Sequence, residues 1–242
     1  MNLLAENIHI FWVNNWFFII LTALIGYLLG SINFSIIITK KLAKQTDIRN
    51  MGSGNAGFTN VLRSVGSRPA IFTLIGDVSK GLLAGLTGKY IFSLCTTNSE
   101  ISSFYLNQYG GYLAGFFCLI GHLYPCFFKF KGGKGIAAIS ALTFVIDWRI
   151  FSLVFGTALI VFFFCKIVSL AAIVGTILYP IATFLITFFD YKRSSGAIKE
   201  SLIIYIFATL IITLLISLIL IYKHKENIKR IINRQEQKIK AN

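Results

Sequence analysis

Four stretches of this chain, at about 17–39, 70–95, 109–128 and 201–222, are apolar over the length that a helix needs to cross a bilayer. A backbone in lipid must satisfy its own hydrogen bonds, so such stretches fold as helices. The region from Ile136 to Phe189 is longer still and is interrupted at Asp147-Trp148-Arg149 and at Lys166. Those breaks divide it into 136–146, 149–165 and 168–189. The expected architecture is all-α: one polytopic membrane domain over residues 1–242, about seven transmembrane helices, and a basic tail at 223–242. With 56% apolar and 13% charged residues and a mean hydropathy of +0.75, the chain lies outside the range of soluble domains.

A net charge of +14 would suit a nucleic-acid binder, but the bases flank apolar runs and do not form a basic domain. No nucleic-acid partner is expected. With the N-terminus outside, the loops at 40–68 and 129–134, Lys166 and the tail hold 17 Lys/Arg and 3 Asp/Glu. The opposite side, at 1–16, 96–108, 147–149 and 190–200, holds 4 and 5. Bases gather on the cytoplasmic side of membrane proteins, so this bias sets the orientation, against the three bases Lys192, Arg193 and Lys199 left outside. The first residues carry Glu6 and no basic cluster, so the first run is expected to remain as an anchor. Cys95, Cys118, Cys126 and Cys165 form no C-x-x-C pair and read as small apolar residues. Three histidines without a Cys or carboxylate cluster argue against a metal site, and no cofactor is expected. Small residues repeat at four-residue spacing in Gly26/Gly30, Gly81/Gly85 and Gly111/Gly115, which lets helix backbones approach closely.

Four polar features interrupt this apolar background. In DIRNMGSGNAGFTNVLRSVG, residues 47–66, Gly52, Ser53, Gly54, Asn55 and Gly57 crowd together between Arg49 and the trio Thr59, Asn60 and Arg63. Glycine-rich backbone can turn successive N–H groups toward one anion, and a phosphate-bearing ligand is the natural occupant. The same letters also make plain turns. They satisfy G-x-G-x-x-G as well, but no strand precedes Gly52, and Asp77 lies inside an apolar helical run, so a dinucleotide fold is excluded. The second feature is KFKGGKG, residues 129–135, an anion clamp built from Lys131, Gly132, Gly133 and Lys134, or a basic flanking turn. The third is Asp77 with Lys80, one turn apart in a membrane helix, where unpaired charge is costly; it reads either as a buried ion pair bracing the site or as a direct contact to substrate. The fourth is His224, Asn227 and Arg230, spaced by threes along one helix face. His122 precedes Tyr124-Pro125 and reads as a helix-end residue, and His9 as an exposed one. There is no G-x-S-x-G elbow.

Taken together, DIRNMGSGNAGFTNVLR at 47–63, Asp77-Val78-Ser79-Lys80-Gly81, Gly121-His122, FKFKGGKG at 128–135, Val168-Ser169-Leu170 and HKENIKR at 224–230 resemble the PlsY family. Its members are bacterial integral-membrane glycerol-3-phosphate acyltransferases that use acyl phosphate. Asn33 stands where that family has proline, Phe58 where it has alanine, and Ala171 where it has a small hydroxyl residue. The tail beyond Arg234 looks like an addition.

The resemblance implies transfer of a fatty acyl group from acyl phosphate to the 1-hydroxyl of sn-glycerol 3-phosphate, which is the entry step of phospholipid synthesis. It also implies a site on the cytoplasmic side of the bacterial inner or plasma membrane, lipid around it, and a phosphate acyltransferase to supply the donor. Ser53, Asn55, Lys134, His224 and Asn227 are the expected catalytic residues. Arg49, Gly52, Ser53, Gly54, Asn55, Thr59, Asn60, Lys131, Gly132, Gly133, Lys134, Ser169 and Arg230 are expected to bind substrate phosphate, and Asp77 and Lys80 to brace the site. The H-x-x-x-x-D pair of soluble and single-span acyltransferases is missing. A mixed anhydride carries its own good leaving group, so positioning and charge neutralisation can carry the rate. An organic-phosphate transporter is the alternative, and its broken midplane helices or internal repeat are not visible in the sequence.

Overall fold

The structure, a computed structural model, describes residues 2–42, 47–95 and 103–238. The side chains of Glu6 and His9, residues 96–102 and the tail beyond 238 lie outside that description. Among the described residues the regular structure is helical: α1 Asn2–Ser31, α2 Phe34–Leu42, α3 Phe58–Ser64, α4 Ser67–Ser93, α5 Ser103–Leu123, α6 Ile136–Ile146, α7 Trp148–Cys165, α8 Val168–Arg193, α9 Gly196–Lys223 and α10 Lys225–Ile232. Among the described residues six helical stretches are long and apolar enough to cross a membrane. The eleven residues of α6 reach only about 16 Å, against a hydrocarbon core of about 30 Å. The seven expected spans thus become six candidates and one short apolar helix.

Each helix boundary has a local cause. Between α1 and α2, the Asn33 side-chain oxygen accepts the Ile36 N–H at 3.2 Å and the Ser35 hydroxyl at 2.6 Å, so the residue in the expected proline's place starts a new helix by capping it. At the α6–α7 break, the Asp147 carboxylate accepts the Arg149 N–H at 2.8 Å. Between α7 and α8, Lys166 adopts the left-handed region with φ of 57°. Pro180 inside α8 has no N–H for the Thr176 carbonyl, and the Ser217 hydroxyl of α9 donates to that carbonyl at 2.8 Å.

Packing gathers α4, α5 and α1 into one group, α6 and α9 close against α5, and α8 lies against α7 and α9. A Cβ at Gly30 would come within 2.1 Å of the Cys118 carbonyl oxygen, and one at Gly81 within 2.2 Å of that of Ala138, so these helices touch backbone to backbone. The main core joins Tyr112, Leu119, Leu142, Tyr179, Ile216 and Leu220. Asp77 and Lys80 are buried elsewhere, where α4 meets the end of α1: Lys80 Nζ sits 3.1 Å from Asp77 Oδ1 and donates to the carbonyls of Gly30 at 3.1 Å and Ile32 at 2.8 Å. The ammonium thereby satisfies carbonyls that the α1–α2 break releases from helical bonding.

Candidate active site

The glycine-rich loop is organised from inside by Asn60. Its buried amide donates to the carbonyls of Ile48 at 3.2 Å, Met51 at 2.9 Å and Asn55 at 3.1 Å, while its oxygen accepts the Ser53 N–H at 3.0 Å. Gly52 and Gly54 adopt left-handed φ values of 52° and 71°, and a Cβ on Gly52 would lie 2.4 Å from Asn60 Oδ1, so the turn requires glycine. Ser53 and Gly54 are left exposed at its tip. Arg49 is turned away from that tip. Its guanidinium binds the Asp47 carboxylate at 2.7 to 3.2 Å and donates to the carbonyls of Phe128 at 2.8 Å and Lys131 at 3.2 Å. Through these bonds Arg49 and Asn60, both among the expected phosphate-binding residues, hold the two loops in shape.

The second loop is fastened beneath the first. Lys129 and Phe130 take left-handed φ values of 57° and 56°, and the Gly132 and Gly133 N–H groups donate to the carbonyls of Leu123 and His122, each at 3.2 Å. A Cβ on Gly133 would meet the Ala56 carbonyl oxygen at 2.2 Å and His122 Nε2 at 2.4 Å. The contact between Gly133 and Ala56 brings the neighbours Lys134 and Asn55 to one place. Lys131 points to solvent, Gly132 and Thr59 are half-buried, and Thr59 lies in the first turn of α3. Asp77 and Lys80 remain in the helical core below, with His122 Nδ1 3.7 Å from Asp77 Oδ1.

The C-terminal end completes the cluster. Lys134 donates through Nζ to Asn227 Oδ1. Asn227 Nδ2 donates to Glu236 Oε1 at 2.7 Å, and the Ser169 hydroxyl donates to the same oxygen at 2.8 Å. Arg230 Nε binds Glu236 Oε2 at 2.6 Å. Arg234, with φ of 56°, turns the tail back after α10, and the Gln237 carbonyl accepts from Arg63 at 2.8 Å. The structure therefore unites Lys134, Ser169, His224, Asn227 and Arg230. It adds two residues outside the expected site, Glu236 and Arg63. The tail was read as an addition, yet Glu236 is an isolated carboxylate in a basic segment, and that was the available signal.

Electrostatics follows from burial among cations. Burial and the Arg230 charge bring the Lys134 ammonium down to about 8, with Glu236 opposing. Burial and Lys134 bring His224 down to about 4, so its imidazole is neutral at pH 7. His224 Nδ1 lies 2.8 Å from the Leu220 carbonyl. A carbonyl only accepts, which places the proton on Nδ1 and leaves Nε2 as an acceptor. Burial works to raise Glu236, but its bonds to Arg230, Ser169 and Asn227 hold it below the ordinary carboxylate range.

An apolar cavity of about 480 Å³ opens between α6, α7 and α8. Phe58, Ile136, Val168 and Leu220 line it, and each lies within four residues along the chain of a polar residue just described: Asn55, Lys134, Ser169 and His224.

These features define a polytopic membrane protein with a cationic, hydrogen-bonding site beside an apolar cavity. The family model described as "Glycerol-3-phosphate acyltransferase" matches residues 20–234. Proteins of that name from Coxiella burnetii and Bartonella henselae are 35% identical over 223 residues, covering 91% of this chain and 98% of the relative, and 37% identical over 217, covering 89% of each. A crystal structure of PlsY, described as an integral membrane glycerol 3-phosphate acyltransferase in its glycerol 3-phosphate form, superposes with a TM-score of 0.71 at 30% identity, covering 92% of this chain and 96% of that one. Its lysophosphatidic acid form gives 0.68 at 29%, covering 92% and 95%. The chain belongs to the glycerol-3-phosphate acyltransferase family.

Proposed function

We propose that this protein transfers a fatty acyl group from acyl phosphate to the 1-hydroxyl of sn-glycerol 3-phosphate, giving 1-acylglycerol 3-phosphate and inorganic phosphate. The observation that carries the reading is the junction of the Lys134–Asn227–His224 cluster with an apolar cavity lined by neighbours of the same residues. A donor with a phosphate head and an alkyl tail needs both environments side by side. The acceptor hydroxyl attacks the acyl carbonyl carbon, the bond from that carbon to the phosphate oxygen breaks, and the hydroxyl proton passes to the acceptor's own phosphate. Lys134 and Arg230 neutralise phosphate charge, with the loop tip at Ser53–Asn55 contributing donors. His224 Nε2 and Asn227 orient the acceptor, and Ser169 closes the site. No acyl-enzyme forms, because positioning and electrostatic stabilisation act on an already activated donor. A phosphate acyltransferase supplies that donor.

The site faces the cytoplasm and the N-terminus the outside of a bacterial inner or plasma membrane, a reading supported by the gathering of bases on the site's side of the helices. A reporter fused after the C-terminus tests this orientation and must read inside. An organic-phosphate carrier is not favoured: the break between α1 and α2 is filled by Lys80, whereas a carrier's broken helices line a binding cavity.

The test is release of phosphate from palmitoyl phosphate by purified protein in detergent. Release that depends on added glycerol 3-phosphate, with 1-palmitoylglycerol 3-phosphate as product, is expected. Release independent of the acceptor, or none, overturns the reading.

A further inference from the structure

The apolar cavity has two unlike ends. Its near end, at Phe58, Ile136, Val168 and Leu220, adjoins the polar site. From there it follows one face of α7 from Phe162 to Phe151, about 16 Å along the helix, opposite a face of α8 from Val168 to Tyr179. At the far end stand Thr143, Phe151 and Tyr179. The Tyr179 hydroxyl, in a side chain only 2% exposed, lies beside those of Thr143 and Tyr112. Phe151 is fixed between Phe144, edge-on at 5.3 Å, and Phe155, stacked at 5.0 Å.

The start of α7 is also tied down. Arg149 donates to both carboxylate oxygens of Asp190 at 2.9 and 2.7 Å while it holds Asp147, so the far ends of α7 and α8 are clamped together. An alkyl chain lying along this groove meets the small residues Ala158, Ala172 and Gly175 beside Val154, Phe155 and Leu159 over its middle, and then a wall of aromatic rings and hydroxyls. A methyl terminus driven against buried hydroxyls gains nothing from desolvating them.

Resting on the acyltransferase reading above, we infer that this groove measures the donor's acyl chain, with Thr143, Phe151 and Tyr179 as its floor and Gly175 in its side wall. Gly175 is the sensitive position. A Cβ there would lie 3.5 Å from both the Ala158 Cβ and a Val154 methyl, and Ala158 and Val154 line the cavity too. One methyl group fits in ordinary contact, whereas a larger side chain must project into the cavity and shorten it. Phe151 acts in the opposite sense, since truncating it deepens the groove.

The experiment compares transfer to glycerol 3-phosphate from octanoyl, lauroyl, palmitoyl and stearoyl phosphate by the unaltered protein, Gly175→Ala, Gly175→Leu and Phe151→Ala. Gly175→Leu is expected to lose at least tenfold in kcat/KM with palmitoyl and stearoyl phosphate while keeping octanoyl transfer, which also shows that it folds. Gly175→Ala is expected to behave like the unaltered protein, and Phe151→Ala to move the optimum to longer donors. Should Gly175→Leu be inactive with every donor, Phe151→Ala alone decides. A length profile that superposes on the unaltered one overturns the ruler and leaves the acyltransferase reading standing. Absence of transfer from any donor by the unaltered protein overturns the acyltransferase reading and the ruler with it.

Discussion

Lys80 and Lys134 are both lysines withdrawn from solvent, and their surroundings make different things of them. Lys80 is 2% exposed, and its three donors meet Asp77 and the carbonyls of Gly30 and Ile32. Lys134 is half-buried, bonds Asn227, and faces the repulsion of Arg230. An ammonium group has three protons to place. Where the protein accepts all three, the charge holds helices together; where it accepts fewer, positive potential is left over for a ligand. Glu236 offsets that potential only in part, because its carboxylate is already engaged by Ser169, Asn227 and Arg230.

The largest effect should come from Lys80→Met, which strands Asp77 in the core. A loss of about 3 kcal/mol is expected, the scale for breaking a buried pair, read as a lower melting temperature and a poorer yield of folded protein in detergent. Adding Asp77→Leu should restore part of it. Lys134→Met should do the reverse, leaving the melting temperature near that of the unaltered protein while acyl transfer falls roughly 10²- to 10³-fold, the scale for removing one preorganised donor. If the two variants exchanged these phenotypes, the comparison would be broken.

Glu236→Gln sharpens the same contrast. It keeps the side chain's size but removes its charge and turns one accepting oxygen into a donating amide, and about 1.5 kcal/mol, or roughly tenfold in kcat/KM, should be lost. The smallest effect is one of pH. The ammonium form of Lys134 is held below its usual range, to about 8, so its charge is present below that value and lost as pH rises through it. The kcat/KM for glycerol 3-phosphate, which reports the free enzyme, should therefore decline above about pH 8. Lys134→Arg, always charged, should show a lower rate without that decline.

Much of the helical layout was legible because its causes are local. Apolar length called for helices, Asp147 offered an N-cap between two of them, and Lys166 interrupted a run that lipid would not tolerate charged. The length of α6 was the exception. Its composition suits a span, but eleven residues cannot reach across, and only packing against α4, α5 and α7 shows what such a helix does instead. Within the site, residue types were legible and their bonding partners were not. Arg49 and Asn60 carry the chemistry of phosphate ligands, yet the acceptors that claim them lie along residues 47–60 and, for Arg49, in the loop at 128–131. Glu236 was missed because its three partners, Ser169, Asn227 and Arg230, meet only where α8 and α10 come together.

By itself the sequence determined that this chain is an all-helical membrane protein with polar, glycine-bearing loops on its basic side, since hydropathy, charge and backbone freedom belong to residues one at a time. Tertiary structure alone decided which lysine is spent and which is free, which arginine braces, and that a greasy cavity ends beside the cationic cluster. These are questions of which acceptor reaches which donor across the fold, and a pairwise distance is not written in either residue.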